Sequence, residues 1–291
     1  MKYAYYPGCT LISSAIEYDM STRAVCEALG IELADIEDWN CCGASAAYSI
    51  DNLLSYALPA RNLAIAEKMG LDVVAPCSAC SHNLLKVNKA VEDDPELMEK
   101  VNKILEETGV RYEGTIKAKH LLDAIVNDLG IDAVSSKVTR ELEGLKVAPY
   151  YGCLIVKPPD IANFDSPEDP QSMDEIITAV GAEVVPFRDF KTKCCGGPVL
   201  LTREDVALEL TKNILEGAKR AGADCILVNC PLCHMNVDAK QPSIEKTFKV
   251  EINLPVLYFT QLMGLALEIE PKKLGLDKNL ISTKPVIKAV A

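Results

Sequence analysis

Apolar and polar positions along the chain alternate between short β-rich runs and longer helical stretches that close on glycine. Residues 2–6 form such a run, ending at Pro7-Gly8-Cys9. Ser14-x-x-Glu17 has the form of a capping box, and the helix it opens is expected to stop at Gly30. A strand is expected over 32–36, then Cys41-Cys42-Gly43, a helix to Met69, and a short buried strand at 72–75 that leads into Pro76-Cys77. The second half repeats the order. A strand is expected over 146–150, a second capping box at Ser172-x-x-Glu175 with its stop at Gly181, and a strand over 183–186. A helix from about Thr202 to Gly222 and a strand over 225–228 follow. This alternation implies parallel sheets with right-handed crossovers. The expected fold is α/β, as two repeated Rossmann-like halves, each a small parallel sheet flanked by helices.

The halves are copies. KYAYYPGC at 2–9 and KVAPYYGC at 146–153 keep Lys, Ala, Tyr, Gly and Cys in register. Cys41-Cys42-Gly43 is answered by Cys194-Cys195-Gly196, and Cys77-x-x-Cys80 by Cys230-x-x-Cys233. In both halves 34 residues separate the paired cysteines from the CxxC, while the first gap is 31 residues in one half and 40 in the other. The extra length matches the polar, proline-rich stretch KPPDIANFDSPEDP. Domains are therefore expected at 1–143 and 144–291. Each motif cysteine falls just past the carboxyl end of a strand, where open α/β sheets place ligands.

Composition narrows the chemistry. The 291 residues fit two domains and are 49% apolar, enough for a core. A formal net charge of −12 argues against a nucleic-acid partner and against an acidic membrane surface. Residues 1–12 lack the pattern of a signal peptide, and the apolar run from Leu254 is too short and too polar for a transmembrane segment. A cytoplasmic protein is expected. Its twelve cysteines then point to metal or redox chemistry rather than disulfides.

Ten of the twelve obey the repeat, five per half. Structural zinc and a cubic iron–sulfur cluster each need four ligands. Two adjacent thiolates can reach different metal atoms of one multinuclear cluster, whereas a single tetrahedral ion would strain them. Soft ligands without matched His or carboxylate favour iron–sulfur. One multinuclear cluster per half is the reading, with zinc on four cysteines of a half as the alternative. Cys26 and Cys225 stand outside the motif and read as small core residues. Trp39, two positions before Cys41, either shields that site or simply packs, and His120 is expected on a helix in a structural role.

The duplicated motif resembles the cysteine-rich CCG domain, and essentially the whole chain resembles the B-subunit family of heterodisulfide reductase. The resemblance implies two non-cubane [4Fe-4S] clusters, one on Cys9, Cys41, Cys42, Cys77 and Cys80, the other on Cys153, Cys194, Cys195, Cys230 and Cys233. It implies reduction of the mixed disulfide of coenzyme M and coenzyme B to two thiols, as in methanogenic archaea. Electrons would come from a flavin-containing partner of the same reductase through a second, ferredoxin-like partner, with a hydrogenase or another electron donor behind them. The chain lacks a ferredoxin C-x2-C-x2-C-x3-C run and a G-x-G-x-x-G loop, so electrons are expected from another protein. With two matched sites, the disulfide is expected between the halves, one sulfur captured at each cluster. His82 and His234 are candidate proton donors, although they do not occupy equivalent repeat positions. Lys191, Lys193 and Arg203 are candidates for substrate anions, against the plainer reading of solvated charge. The stretch 91–107 reads as an exposed helix and the tail from Pro271 as an extended tie to a partner protein. Other functions in view are an electron-transfer component of a glycolate oxidase-like or quinone reductase-like enzyme, and a zinc-bound scaffold.

Overall fold

A computed structural model describes residues 1–44 and 46–290. Its strands form two parallel sheets. β1 (Lys2–Tyr5), β2 (Glu32–Asp35), β3 (Val73–Ala75) and β4 (Ala118–His120) stand in the order β2-β1-β3-β4. β5 (Lys146–Tyr150), β6 (Glu183–Val184), β7 (Cys225–Val228) and β8 (Val256–Tyr258) stand in the order β6-β5-β7-β8. The chain thus builds the expected α/β class, two similar halves in sequence. Val-Val-Ala of β3 and Cys-Ile-Leu-Val of β7 are buried throughout. Helices cover an inner parallel strand on both faces, which selects a continuous apolar run over an alternating one.

The strand order positions the site. From β1 the chain moves outward to β2, then crosses back over β1 to reach β3. The β1/β3 border is therefore the switch point where open α/β sheets form a crevice beyond the strand ends. The loops carrying Cys9 and Cys77 leave β1 and β3 there, and those carrying Cys153 and Cys230 leave β5 and β7 in the same way.

Several local expectations are corrected. Each sheet has a fourth strand that the pattern of residues does not announce, and His120 ends β4 instead of lying within a helix. The apolar run from Leu254 divides into β8 and the helix Phe259–Ala266. Among the described residues no helix is long and apolar enough to cross a membrane. Neither capping box forms. Helix Ile16–Leu29 has Ala15 at its N-cap with no side-chain cap, and helix Ser172–Ala179 begins on Ser172, whose Oγ donates to Asp165 Oδ2 at 2.5 Å. The helix expected up to Met69 is two helices, Ala46–Ile50 and Leu54–Lys68. Asp51 Oδ1 accepts from Leu54 N–H at 2.8 Å and so restarts the helix. The stretch 91–107 breaks at Asp94, which caps helix Pro95–Glu106 through Leu97 N–H. That helix buries Met98, Val101 and Leu105, so it is amphipathic rather than exposed. The tail from Pro271 folds back on its own chain. Gly275 lies against Glu17, Asn279 Nδ2 donates to Val256 O at 2.6 Å, and Asp238 accepts the Leu280 and Ile281 amides.

A buried polar seam joins the two sheets. Helix Ile16–Leu29 packs on helix Phe259–Ala266, and Ser21 Oγ meets Thr260 Oγ1 at 2.7 Å. The Tyr18 ring stacks on Tyr258 at 3.8 Å, and its hydroxyl reaches the carbonyls of Pro76 at 2.9 Å and Asn229 at 3.1 Å. Those carbonyls belong to equivalent residues, each immediately before the first cysteine of a CxxC. One phenol therefore ties together the two loops on which the chemistry depends. The boundary at 143/144 falls in the turns before β5, and we retain it as the proposed division.

Candidate metal centres

The two halves hold their cysteines by the same devices. The Tyr6 hydroxyl donates to the carbonyl of Asn40 at 2.8 Å, and the Tyr150 hydroxyl to that of Lys193 at 2.7 Å. Asn40 and Lys193 each directly precede a cysteine pair, so a tyrosine three residues before the leading cysteine fixes the entry to that pair. Asn83 and Asn236 stand three residues past each CxxC. Their Nδ2 atoms donate to Cys42 O at 3.1 Å and Cys195 O at 2.7 Å. Sequence reasoning misses these asparagines, although their matched offset in the repeat is a signal.

Beside each leading cysteine a glycine makes room for a thiol. Gly8 has φ +70° and Gly152 φ +71°. A Cβ on Gly8 would lie 2.8 Å from Cys80 Sγ, and one on Gly152 2.9 Å from Cys233 Sγ. Both the left-handed backbone and the close approach require glycine. The cradle is thus built around sulfur, twice.

All twelve cysteines are free thiols. Cys42, Cys77, Cys80, Cys195, Cys230 and Cys233 are buried, Cys153 is half-buried, and Cys9, Cys41 and Cys194 are exposed. Cys42 Sγ lies 3.4 Å from Cys80 Sγ, and Cys195 Sγ 3.6 Å from Cys233 Sγ, which are equivalent pairs. Hydrogen bonding distributes the protons unevenly. The Cys41 thiol, then that of Cys80, donate to Cys42 and hold its pKa well below the usual thiol range. Cys194 is lowered to about 6 by the Cys153 thiol, and Cys230 is lowered by donation from Cys233 and Cys77. Cys77 and Cys230 also shift each other's pKa across the seam, up for Cys77 and down for Cys230, so the first cysteines of the two CxxC loops are electrostatic neighbours. Cys26 and Cys225 are buried away from these contacts, and burial raises both thiols. Five soft donors per half, spread from a buried floor to an exposed rim around a glycine cradle, fit a multinuclear iron–sulfur group.

The other candidates lie as follows. Lys191 is buried, its Nζ 2.7 Å from Asp174 Oδ1, 3.1 Å from Asp169 Oδ1 and 2.9 Å from Pro170 O. Its charge is already neutralised inside the protein, leaving none for a ligand. Arg203 pairs with Asp205 at 2.9 Å in solvent, and Lys193 is exposed beside Cys194. His234 is buried, stacked on Tyr258 at 4.3 Å, with its Nε2 near Val256 O and Asn279. His120 reaches Asn229 O at 3.2 Å and belongs to the seam. Trp39 packs edge-on against Tyr6 at 5.5 Å. His82 lines a cavity of about 340 Å³ between the halves, and its buried Nδ1 has no hydrogen-bond partner.

Comparison with known proteins agrees with the repeat. The cysteine-rich CCG domain family matches residues 3–85 and again 147–238. The 8-methylmenaquinol:fumarate reductase membrane anchor subunit of Wolinella succinogenes is 39% identical, over 96% of this chain and 97% of its own. The B-subunit of the ferredoxin/F(420)H(2)-dependent CoB-CoM heterodisulfide reductase of Methanosarcina acetivorans is 33% identical, over 96% of this chain and 94% of its own. A Helicobacter pylori protein described as hypothetical shares the fold, with a TM-score of 0.77 at 17% identity over 97% of this chain, which spans about half (52%) of that one.

Proposed function

From a chain that belongs to the cysteine-rich CCG family, and within it to the heterodisulfide reductase B-subunit group, we infer an iron–sulfur oxidoreductase component that cleaves an organic disulfide with electrons from partner proteins. The observation that carries the reading is the pairing of two equivalent five-thiol groups, whose CxxC loops are tied together at Pro76 and Asn229 by the Tyr18 hydroxyl, beside a cavity built from both halves. A disulfide has two sulfurs, and this chain offers each a matched site.

Each five-cysteine set would hold one non-cubane [4Fe-4S] cluster, on Cys9, Cys41, Cys42, Cys77 and Cys80 and on Cys153, Cys194, Cys195, Cys230 and Cys233. Such clusters supply single electrons and a Lewis-acidic iron that accepts a thiolate sulfur. The chain's own residues supply the frame. The Tyr6 and Tyr150 hydroxyls and the Asn83 and Asn236 amides lock the backbone at the cysteine pairs, and Tyr18 holds both CxxC loops at a fixed separation. His82, with an unpartnered ring nitrogen on the cavity wall, is better sited to move a proton to a departing thiolate than His234, whose ring is stacked and bonded inside the core. A flavin-containing partner and a ferredoxin-like partner would deliver the electrons, since the relatives are themselves named as components of larger reductases.

A second reading has its own support. The relative at 39% identity acts, by its name, in a methylmenaquinol:fumarate reductase. In that reading the same centres relay electrons without a disulfide. The test is the anaerobically purified complex, assayed for iron, sulfide and reduction of the coenzyme M–coenzyme B disulfide. About four irons per half with disulfide turnover supports the first reading. Clusters that oxidise a menaquinol and ignore the disulfide support the second, and zinc alone overturns both.

A further inference from the structure

The cavity between the halves is walled by neighbours of the motif cysteines. Ala44 follows the first Cys-Cys-Gly, Ala79 and Leu232 lie inside the two CxxC loops, His82 follows Cys80, and Leu154 follows Cys153. Tyr48 and Tyr56 add aromatic surface. The wall is therefore mostly apolar, and one charge enters it. Lys86, half-buried on helix Ser78–Asp93, has its Nζ 3.0 Å from Ser55 Oγ and 4.0 Å from the centre of the Tyr56 ring.

Among the described residues no carboxylate pairs with Lys86, and burial alone acts on it, favouring the neutral amine. That is unusual in a chain of net charge −12. The buried Lys191 shows the ordinary solution, two carboxylates and a carbonyl. A half-buried ammonium satisfied only by a hydroxyl and a ring face keeps unused donor capacity at a desolvation cost. The nearby Nδ1 of His82 is also unpartnered. An anion in the cavity would satisfy the Lys86 ammonium. The repeat makes the feature one-sided, because Lys86 stands six residues past Cys80 whereas Ala239 stands six past Cys233.

We propose that Lys86 is a specificity-determining residue that binds the ionised acid terminus of an organic thiol or disulfide whose sulfur points toward the cysteine loops, and so orients an unsymmetrical ligand. The proposal rests on the disulfide-cleaving reading above. It deepens that reading by naming the ligand class and the residue that reads it.

The test uses the anaerobically purified holo-complex and two thiols that differ in charge, 2-mercaptoethanesulfonate and 2-mercaptoethanol. Binding is followed by perturbation of the cluster spectrum, and acylation of lysines is mapped by mass spectrometry. The sulfonate should protect Lys86 from acylation and 2-mercaptoethanol should not. Lys86→Gln should weaken the sulfonate about tenfold or more and leave 2-mercaptoethanol within about twofold, with Lys86→Arg restoring most of the difference. If both thiols still perturb the spectrum but Lys86→Gln weakens them equally or not at all, the assignment of Lys86 is overturned and the disulfide reading stands. If neither thiol binds the unaltered complex, both fall together.

Discussion

Replacing Gly8 by alanine should damage one of the two proposed metal centres and spare the other. At φ +70° an alanine pays the left-handed penalty of about 1–2 kcal/mol. Its Cβ would also lie 2.8 Å from Cys80 Sγ. An ordinary contact needs about 3.5 Å, so the sulfur must retreat by roughly 0.7 Å. Ligand distances tolerate only about 0.2 Å, so Cys80 would leave its proposed coordinating position. Gly152→Ala should do the same to Cys233, from 2.9 Å at φ +71°. The assay is iron and sulfide content with low-temperature magnetic resonance on each anaerobically purified variant. Each single variant should lose about half of the iron, and the two should lose different spectral components. Thermal melting of the metal-free chains should register only the backbone penalty. Full iron in both variants, or loss of both centres from either one, would refute the claim of two independent glycine cradles.

Burial holds the folded Asp238 carboxyl at about 6, against an ordinary 3.8. Folding therefore favours its protonated form, and that stability is complete below about pH 4 and lost as pH rises through about 6. Relative to Asp238→Asn, the wild type should lose about 2–3 kcal/mol between pH 4 and pH 7 in denaturant melts, with Glu17 nearby modulating the midpoint. Tyr18→Phe keeps the stack on Tyr258 but removes the hydroxyl shared by Pro76 and Asn229, so it should cost about 1–3 kcal/mol, read as a melting temperature lower by a few degrees. Lys191→Met leaves the buried Asp174 carboxylate with the Tyr151 hydroxyl but no cation, while Asp169 keeps Arg188, so it should cost about 2–4 kcal/mol in the same melts, whereas Arg203→Gln should stay within about 0.5 kcal/mol.

What the sequence reveals and what it hides follow from the range of the interactions involved. The thiol frame is legible because a duplicated chain prints its own control, and matched spacings twice over leave little to chance. The leading three strands of each half are legible because each runs into a cysteine loop. β4 and β8 are not, because Ala118-Lys119-His120 carries no β pattern and Val256–Tyr258 merges into an apolar helix. The capping boxes mislead because Ser-x-x-Glu is common and the helices find other starts, with Ser172 drawn to Asp165 seven residues upstream. The two lysines are hard to judge from sequence for one reason. A charge reveals its purpose only through partners that folding delivers, which brings Asp169 and Asp174 to Lys191 and, among the described residues, no carboxylate to Lys86.

The pattern of likeness between the halves separates two demands on the fold. Three devices at the motif cysteines are duplicated: the tyrosine before the loop, the asparagine after the CxxC and the glycine under the sulfur. Several positions that face the space between the halves have diverged. Thr10 answers Leu154, Met235 answers His82, and Ala239 answers Lys86. The cavity bordered by Leu154 carries Lys86, while the one bordered by Thr10 carries the buried carboxyls of Glu17 and Asp238. A relay needs only equivalent centres and gives no reason for unlike walls. Two like centres between unlike walls suit a ligand whose two ends differ.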